Sequence, residues 1–288
     1  MRHEHHSCIC CGSTPTRPWF RGLGQCTECG FVYFPHRLTL AETRRLYGED
    51  YFNGAEYFRY LDDRAVHERN FGSRVHDLAR WLPSRKWLFE IGCAYGLFLN
   101  LAREKWKVRG CDVATGPCRF AKDELRLDVE CADFARLPLN PGEVDAFCLW
   151  DTIEHLDDPP RYLAKIASVL RPGGLLALTT GDIGSWLARL RGPRWRQIHP
   201  PTHLWYFDRK TIRRLLARFG FDVVDMRAAG MWRGVGQIAH GLRISEKWRR
   251  RLSLWKIEKR MIWLNSFDLM RVIALRSDRP ILQERIAA

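Results

Sequence analysis

Three groups of residues have types and spacings suited to chemistry. Cys8-x2-Cys11 and Cys26-x2-Cys29 stand fourteen residues apart, and each second Cys is followed by a Gly, Gly12 and Gly30. Two such knuckles can place four thiolates around one tetrahedral Zn²⁺, with the Gly allowing the tight turn that points backbone N–H groups at sulfur. Four Cys ligands leave no open position, so this is a structural site. Cys10 is a spectator inside the first knuckle, and His3, His5 and His6 are rival ligands on a loose end. Second, Glu90-x-Gly92-x-Ala94-x-Gly96 follows the apolar run Trp87–Ile91 and precedes an amphipathic helix from Phe98. A strand, a small-residue loop and a helix start make a nucleotide-type site, because backbone can approach the ligand and unpaired N–H groups face it. The dinucleotide fingerprint is not met, since Leu97 stands where its third Gly would be. A tight turn without a ligand is the plainer alternative. Third, His155, His199 and His203 can titrate near neutrality and are the candidate general bases. For His155 the alternative is a local hydrogen bond at a helix start, and for His203 it is packing of its loop.

These residues need elements to hold them. From Trp87 the pattern alternates strand and helix, which predicts an α/β fold with a parallel sheet. The strands are Trp87–Ile91, Val108–Val113, Val129–Ala132, Ala146–Trp150, Leu175–Thr180 and Phe221–Met226, with an antiparallel seventh over Leu269–Leu275. The first helices cover Phe98–Lys105 and Cys118–Leu125; Arg161–Leu170 ends at Arg171-Pro-Gly-Gly174, and Asp208–Arg218 follows the fifth strand. Asp112 closes the second strand, twenty residues after Gly92, where an acid can accept hydrogen bonds from both ribose hydroxyls. Capping the next helix is its alternative role. Residues 181–207 break the alternation and mix Trp186, Trp195, His199, His203, Trp205 and Tyr206 with four Arg, a composition suited to an acceptor pocket above the sheet edge. We take His199 and His203 slightly ahead of His155 as the base for that reason. Upstream, Asp62–Leu82 has helical spacing, Thr39–Leu46 is a short helix, and Tyr47, Tyr51 and Phe52 are suited to packing this part onto the main domain. Within residues 240–264, eight basic residues and two acids interleave with Trp248, Leu252, Trp255, Ile262 and Trp263, the pattern of a basic amphipathic helix that meets an anionic membrane surface or packs on the protein. The division is therefore 1–36 zinc-binding module, 37–84 helical cap, and 85–288 catalytic domain with a basic helical insertion at about 231–265.

Five phrases fall in one order: the Glu90–Gly96 loop, Asp112, Asp133-Phe134, Trp150–Leu156, and Leu170-Arg-Pro-Gly-Gly174 before an apolar strand. Over about residues 85–228 this resembles the class I S-adenosylmethionine (SAM)-dependent methyltransferases, with Ala94 in place of the usual middle Gly. The resemblance implies a Rossmann-like seven-stranded sheet with an antiparallel last strand and helices on both faces, here with a small N-terminal zinc ribbon or knuckle module. It implies a SAM site made by Glu90, Gly92, Cys93, Ala94, Tyr95, Gly96, Phe98, Asp112, Val113, Asp133, Phe134, Trp150 and Asp151. Asp133 takes the place that binds the adenine amino group. An N-terminal helical segment often covers the cofactor in this family, which makes Tyr47, Tyr51 and Phe52, as the alternative to packing, candidate lid residues. His199-Pro-Pro-Thr-His203-Leu-Trp-Tyr-Phe207 is similar to small-molecule O- and C-methyltransferases of quinone and glycan pathways. About forty residues separate the last two strands, which form a tight hairpin in the family. Methyl transfer from a sulfonium needs no metal, and beyond the four Cys the sequence offers only scattered acids at the sheet edge.

With 46% hydrophobic residues in 288, the chain can build a packed core without staples. It has no apolar run of membrane-spanning length and no secretory h-region, so the expectation is a cytoplasmic protein, with membrane contact only peripheral. A net charge of +14 favours an anionic partner. The leading reading is a methyltransferase for a small anionic or lipid-linked acceptor. An RNA methyltransferase using the zinc module and basic surface is the less favoured alternative, because the zinc segment is not strongly basic and Asp151-Thr-Ile-Glu154 differs from the Asn-Pro-Pro-Tyr phrase of amino-methylating nucleic-acid enzymes. A non-catalytic SAM-fold scaffold is the third reading.

Overall fold

A computed structural model describes residues 7–39, 42, 45–46, 60–235, 238 and 260–278. The N-terminal module has three short strands, β1 (Thr16–Pro18), β2 (Gly24–Cys26) and β3 (Val32–Tyr33). Helix α1 (Arg64–Leu78) leads to β4 (Trp87–Ile91), α2 (Leu97–Ala102), β5 (Lys107–Cys111), α3 (Thr115–Asp123), β6 (Val129–Glu130) and β7 (Ala146–Trp150). Then come α4 (Pro159–Val169), β8 (Leu175–Gly181), α5 (Trp186–Arg191), β9 (Trp205–Tyr206), α6 (Arg209–Arg218), β10 (Phe221–Ala228), β11 (Met231–Gly234), β12 (Met261–Leu264) and β13 (Leu269–Arg276).

Seven strands make the main sheet in the order β10-β13-β8-β7-β4-β5-β6. Only β13 runs antiparallel to its neighbours. This is the expected seven-stranded arrangement. Strand β7 is buried along its whole length, as its apolar sequence on both faces requires. Phe89, Phe134 and Phe147 pack one face of the sheet, and Phe98, Leu99 and Trp106 pack the other. The helices start where their caps dictate. Asp158 caps α4 with Pro159 at its first position, and Asp208 and Thr211 form a reciprocal capping box at α6.

Two findings change the expected plan. First, the N-terminal strands continue into the main α/β body: β3 pairs with β9, placing Val32 opposite Tyr206 and Tyr33 opposite Trp205. Cys8, Cys10, Cys26 and Phe31 share one core with Trp205, Phe207 and Leu215. Arg218 of α6 donates to the Ile9 carbonyl at 2.6 Å, and Arg21 donates to the Ile198 carbonyl at 2.8 Å. Second, both described ends of the 231–265 insertion are strands and not helix. β11 and β12 pair antiparallel, with Trp232 opposite Trp263. The aromatic and β-branched residues of Met261-Ile-Trp-Leu264 suit a ladder better than the helical stripe assigned to Ile262 and Trp263. Asn70 of α1 both accepts from Trp232 N–H (2.6 Å) and donates to Trp232 C=O (3.0 Å), so the ribbon is fastened to α1. The basic segment with Trp248, Leu252 and Trp255 lies outside the described residues, as do Tyr47, Tyr51, Phe52, His3, His5, His6 and half of the expected Thr39–Leu46 helix. No helix among the described residues is long and apolar enough to cross a membrane.

Candidate active site

The loop after β4 turns on Gly92, Ala94 and Gly96, which have φ of 75°, 44° and 70°. This left-handed backbone suits Gly, and Ala94 adopts it at a steric cost. A Cβ on Gly92 would stand 2.7 Å from the Thr152 side chain, and one on Gly96 would stand 2.7 Å from Leu127. The loop is therefore built for close approach. Asp112 holds its shape: its two carboxylate oxygens accept from Ala94 N–H (2.8 Å) and Ala114 N–H (2.9 Å). Val113 lies between these contacts on the exit from β5, and Cys93 is buried beneath the loop. Each carboxylate oxygen keeps a second lone pair for a ligand hydroxyl. The capping alternative and the ribose role are thus compatible. Burial raises the Asp112 carboxyl, against the pull of its backbone donors.

Glu90 is 2% exposed, and its Oε2 has no hydrogen-bond partner among the described residues. The Trp150 Nε1 is also buried and unpaired among them. Orphaned polar atoms of this kind on either side of a small-residue loop fit a polar ligand laid across the strand ends. Asp133 accepts from Ala135 N–H (2.9 Å) and from the Tyr162 hydroxyl (2.6 Å), which fixes it at the exit of β6. Phe134 is buried against Phe89 and Tyr162. Tyr95 stacks on Tyr60 at 5.2 Å and meets Phe120 edge-on, while Phe98 meets Trp150 edge-on. The site residues expected from sequence line one sheet edge in this way.

Helix α1, part of the expected 37–84 cap, lies over that edge through Arg74, a residue the sequence reading did not single out. Arg74 donates to Asp151 at 2.7 Å and lies over the Trp150 ring at 5.1 Å. Asp151 has φ of 51° and also bonds the Thr179 hydroxyl at 2.8 Å. Burial pushes the Asp151 carboxyl up, but Arg74 and Thr179 outweigh that and hold it below the usual range.

The other half of the candidate site is a cluster drawn from two segments. A 3-10 turn, Ile153–His155, follows β7, and Leu204 N–H donates to Glu154 C=O at 2.8 Å, binding this turn to the segment before β9. Trp205 Nε1–H donates to Leu156 C=O at 2.6 Å. The His155 and His203 rings then meet at 4.5 Å, and the His199 and His203 rings at 3.9 Å. His155 Nδ1 lies 2.8 Å from Thr202 C=O, so it carries the proton. The Thr202 hydroxyl donates to His199 C=O and lies 2.6 Å from His199 Nδ1, so that nitrogen is also the donor and the basic lone pair is on Nε2. All three predicted histidines converge. Glu154 completes the cluster and is the member that sequence reasoning missed; its place beside His155 in the Trp150–Leu156 phrase was the available signal. Burial raises Glu154 to about 8, with Asp151 adding to the shift, and lowers His155 to about 4. His203 is pushed well below the usual histidine range by burial and by the two neighbouring rings, and His199 is lowered by burial.

In the N-terminal module, Cys8, Cys11, Cys26 and Cys29 converge with all four sulfurs within 4.8 Å of one another. Cys8–Cys29 and Cys11–Cys26 are each 3.6 Å apart, close to the ~3.8 Å edge of a tetrahedron with ~2.3 Å metal–sulfur bonds.

Fold and sequence family together place the chain among proteins with a class I methyltransferase domain. The chain belongs to the methyltransferase-domain family, which matches residues 60–226. It is 28% identical over 166 residues to the malonyl-[acyl-carrier protein] O-methyltransferase of Serratia marcescens, covering 57% of this chain and 64% of that one. It is also 28% identical over 155 residues to the ubiquinone biosynthesis O-methyltransferase of Cupriavidus pinatubonensis, covering 49% and 62%. The chain thus spans just under two thirds of these relatives. Among solved structures, a chain of the complex between the Haloferax volcanii Trm112 methyltransferase activator and its methyltransferase partner aligns with a TM-score of 0.56 at 18% identity, covering 76% of this chain and 94% of that one. A Thermotoga maritima SAM-dependent methyltransferase aligns at 0.52 and 18%, covering 77% and 95%. At these identities the structures support the fold.

Proposed function

We propose that this chain methylates an oxygen of a small-molecule acceptor, with SAM held over β4, β5 and β6 and the acceptor held over β7 and the segment before β9. The observation that carries this reading is the convergence of His155, His199 and His203 beside Trp150 and Asp151. An acceptor hydroxyl must lose a proton as its oxygen is alkylated, and a cluster of imidazoles at the reacting edge is equipped to take it. The O-methyltransferase relatives point the same way, and the net charge of +14 favours an anionic or lipid-linked acceptor.

Bound at the loop, SAM supplies an electrophilic methyl group on a sulfonium. Asp112 would accept the ribose hydroxyls, Asp133 the adenine amino group, and Glu90 and the loop backbone would position the remainder. Arg74 and Tyr60 would shield the edge from water. His199 is the proton acceptor: Thr202 fixes its tautomer, Nε2 is the basic atom, and it is less deeply buried than His203. His203 orients the pair of rings on either side of it. Zn²⁺ on Cys8, Cys11, Cys26 and Cys29 would lock the module that carries β3, and so the strand partner of the acceptor segment.

The test is methyl transfer from labelled SAM to a panel of phenols, catechols and sugar hydroxyls. His199→Gln should remove transfer and leave SAM binding intact. Equal activity in His199→Gln and the unaltered protein would remove His199 from the chemistry.

A further inference from the structure

Glu154 is 3% exposed, and its Oε2 has no hydrogen-bond partner among the described residues. An acid so deeply buried ordinarily has both oxygens satisfied. Its surroundings supply metal-type donors. One ligand atom from each of Glu154, His155 and His203 lies within 4.8 Å of the others. The His155 ring donates Nδ1–H to the Thr202 carbonyl at 2.8 Å, which turns the Nε2 lone pair away from the backbone. Metal-ligating imidazoles are oriented by such a bond from the second ring nitrogen. The His203 ring is held between the His155 and His199 rings, at 4.5 and 3.9 Å. The supporting backbone is tied together by the bond from Leu204 to Glu154 and the bond from Trp205 to Leu156.

We propose that Glu154, His155 and His203 form a divalent-metal site on the acceptor side of the sheet edge, separate from the four-Cys cluster. Two imidazole nitrogens and one carboxylate oxygen are the donor set of catalytic zinc and of non-haem iron centres, and three protein ligands leave positions open. This deepens the reading of the cluster as the acceptor site. An acceptor hydroxyl that ligates the ion through an open position becomes more acidic. Its proton passes to His199, its oxygen forms the bond to the methyl carbon, and the carbon–sulfur electron pair returns to sulfur. The acceptors favoured are those with two neighbouring oxygens, such as a catechol or a hydroxy-carbonyl unit, which chelate the ion.

Co²⁺ is the probe. Protein loaded with one Zn²⁺ per chain is dialysed against buffered Co²⁺, and bound cobalt is measured together with the visible spectrum. S-adenosylhomocysteine binding is titrated in parallel by calorimetry. The expected result is one Co²⁺ per chain with a d–d band and no sulfur-to-cobalt charge-transfer band. Glu154→Gln and His203→Asn should each weaken Co²⁺ by more than the ~10–100-fold that loss of an outer partner costs, with the S-adenosylhomocysteine titration unchanged. Glu154→Gln keeps the side-chain volume, and the half-buried His155→Asn serves if a variant loses its fold. No Co²⁺ in the unaltered protein, or undiminished Co²⁺ in folded variants, overturns the proposal. Failure of S-adenosylhomocysteine binding in the unaltered protein would instead overturn the cofactor reading and leave the metal result standing.

Discussion

The two halves of the sheet edge are assembled in different ways. The cofactor half is local. Gly92, Ala94 and Gly96 follow their strand directly, and Asp112 is bonded back to Ala94 across eighteen residues. The acceptor half is distant in sequence. His155 reaches Thr202 across forty-seven residues, and Arg74 reaches Asp151 across seventy-seven. One half is held by turn geometry and the other by a strand, β9, whose partner β3 belongs to the four-Cys module. The comparison implies that the halves can be broken separately.

The largest effect is expected on the acceptor half. Replacing His199 by Gln should lower kcat by ~10²–10⁴, the usual worth of a general base, with the Kd for SAM unchanged. A single-turnover assay beside calorimetry reads both numbers.

Next in size is the cofactor loop. Gly92→Ala places a methyl 2.7 Å from Thr152 at a φ of 75°. Left-handed strain and overpacking together cost about 3 kcal/mol, or ~100-fold in SAM affinity. A fall in acceptor binding with SAM affinity kept would show that the halves are not divided as described.

Removing metal from the four-Cys module, by a chelator or by Cys29→Ser, tests the link between them. With β3 loosened, β9 should lose its register and displace His199 and His203. A misplacement near 1 Å is worth ~10²-fold in kcat/KM. SAM affinity should hold, because the Gly92–Gly96 loop follows β4 of the seven-stranded sheet and is held by Asp112. Hydrogen exchange should rise at Trp205 and Tyr206 and stay low along β4.

The smallest effect concerns the cover. His67 on α1 stacks on Tyr60 at 4.1 Å and is held down to about 4 by burial, with Arg233 and Arg74 adding to it. Its folded-state value lies below the ordinary histidine value near 6.5, so between these values the unfolded chain binds more protons. Stability should fall as pH drops from about 6.5 toward 4, by at most ~3 kcal/mol, and level off below. Denaturant titrations of His67→Gln should show a flatter acid limb over that window. An unchanged limb would remove His67 as its cause.

What could be read from sequence follows the same division. The alternating core strands, the small-residue loop, Asp112 and Asp133 are visible because neighbouring residues make the pattern. The four Cys also announce themselves by spacing. Arg74 does not, since nothing along α1 distinguishes a residue that meets Asp151 from one that faces solvent. Glu154 stood in a recognised phrase, but its use depends on His203, brought beside it by β9. The two ends of the 231–265 insertion, Met231–Gly234 and Met261–Leu264, were misread for a related reason. Basic residues interleaved with Trp over 240–264 follow helical spacing, while Met231–Gly234 and Met261–Leu264 find each other across the intervening residues. Ladder partners separated so far leave no periodic trace.

One measurement tests the division most directly. It is calorimetric titration of S-adenosylhomocysteine into the unaltered protein, Asp112→Ala and His199→Gln. The expected result is saturable one-to-one binding in the first, none in the second, and unchanged binding in the third. Full binding in Asp112→Ala, or its loss in a folded His199→Gln, would contradict a cofactor half built on the β4–β5 edge and an acceptor half built on the histidines.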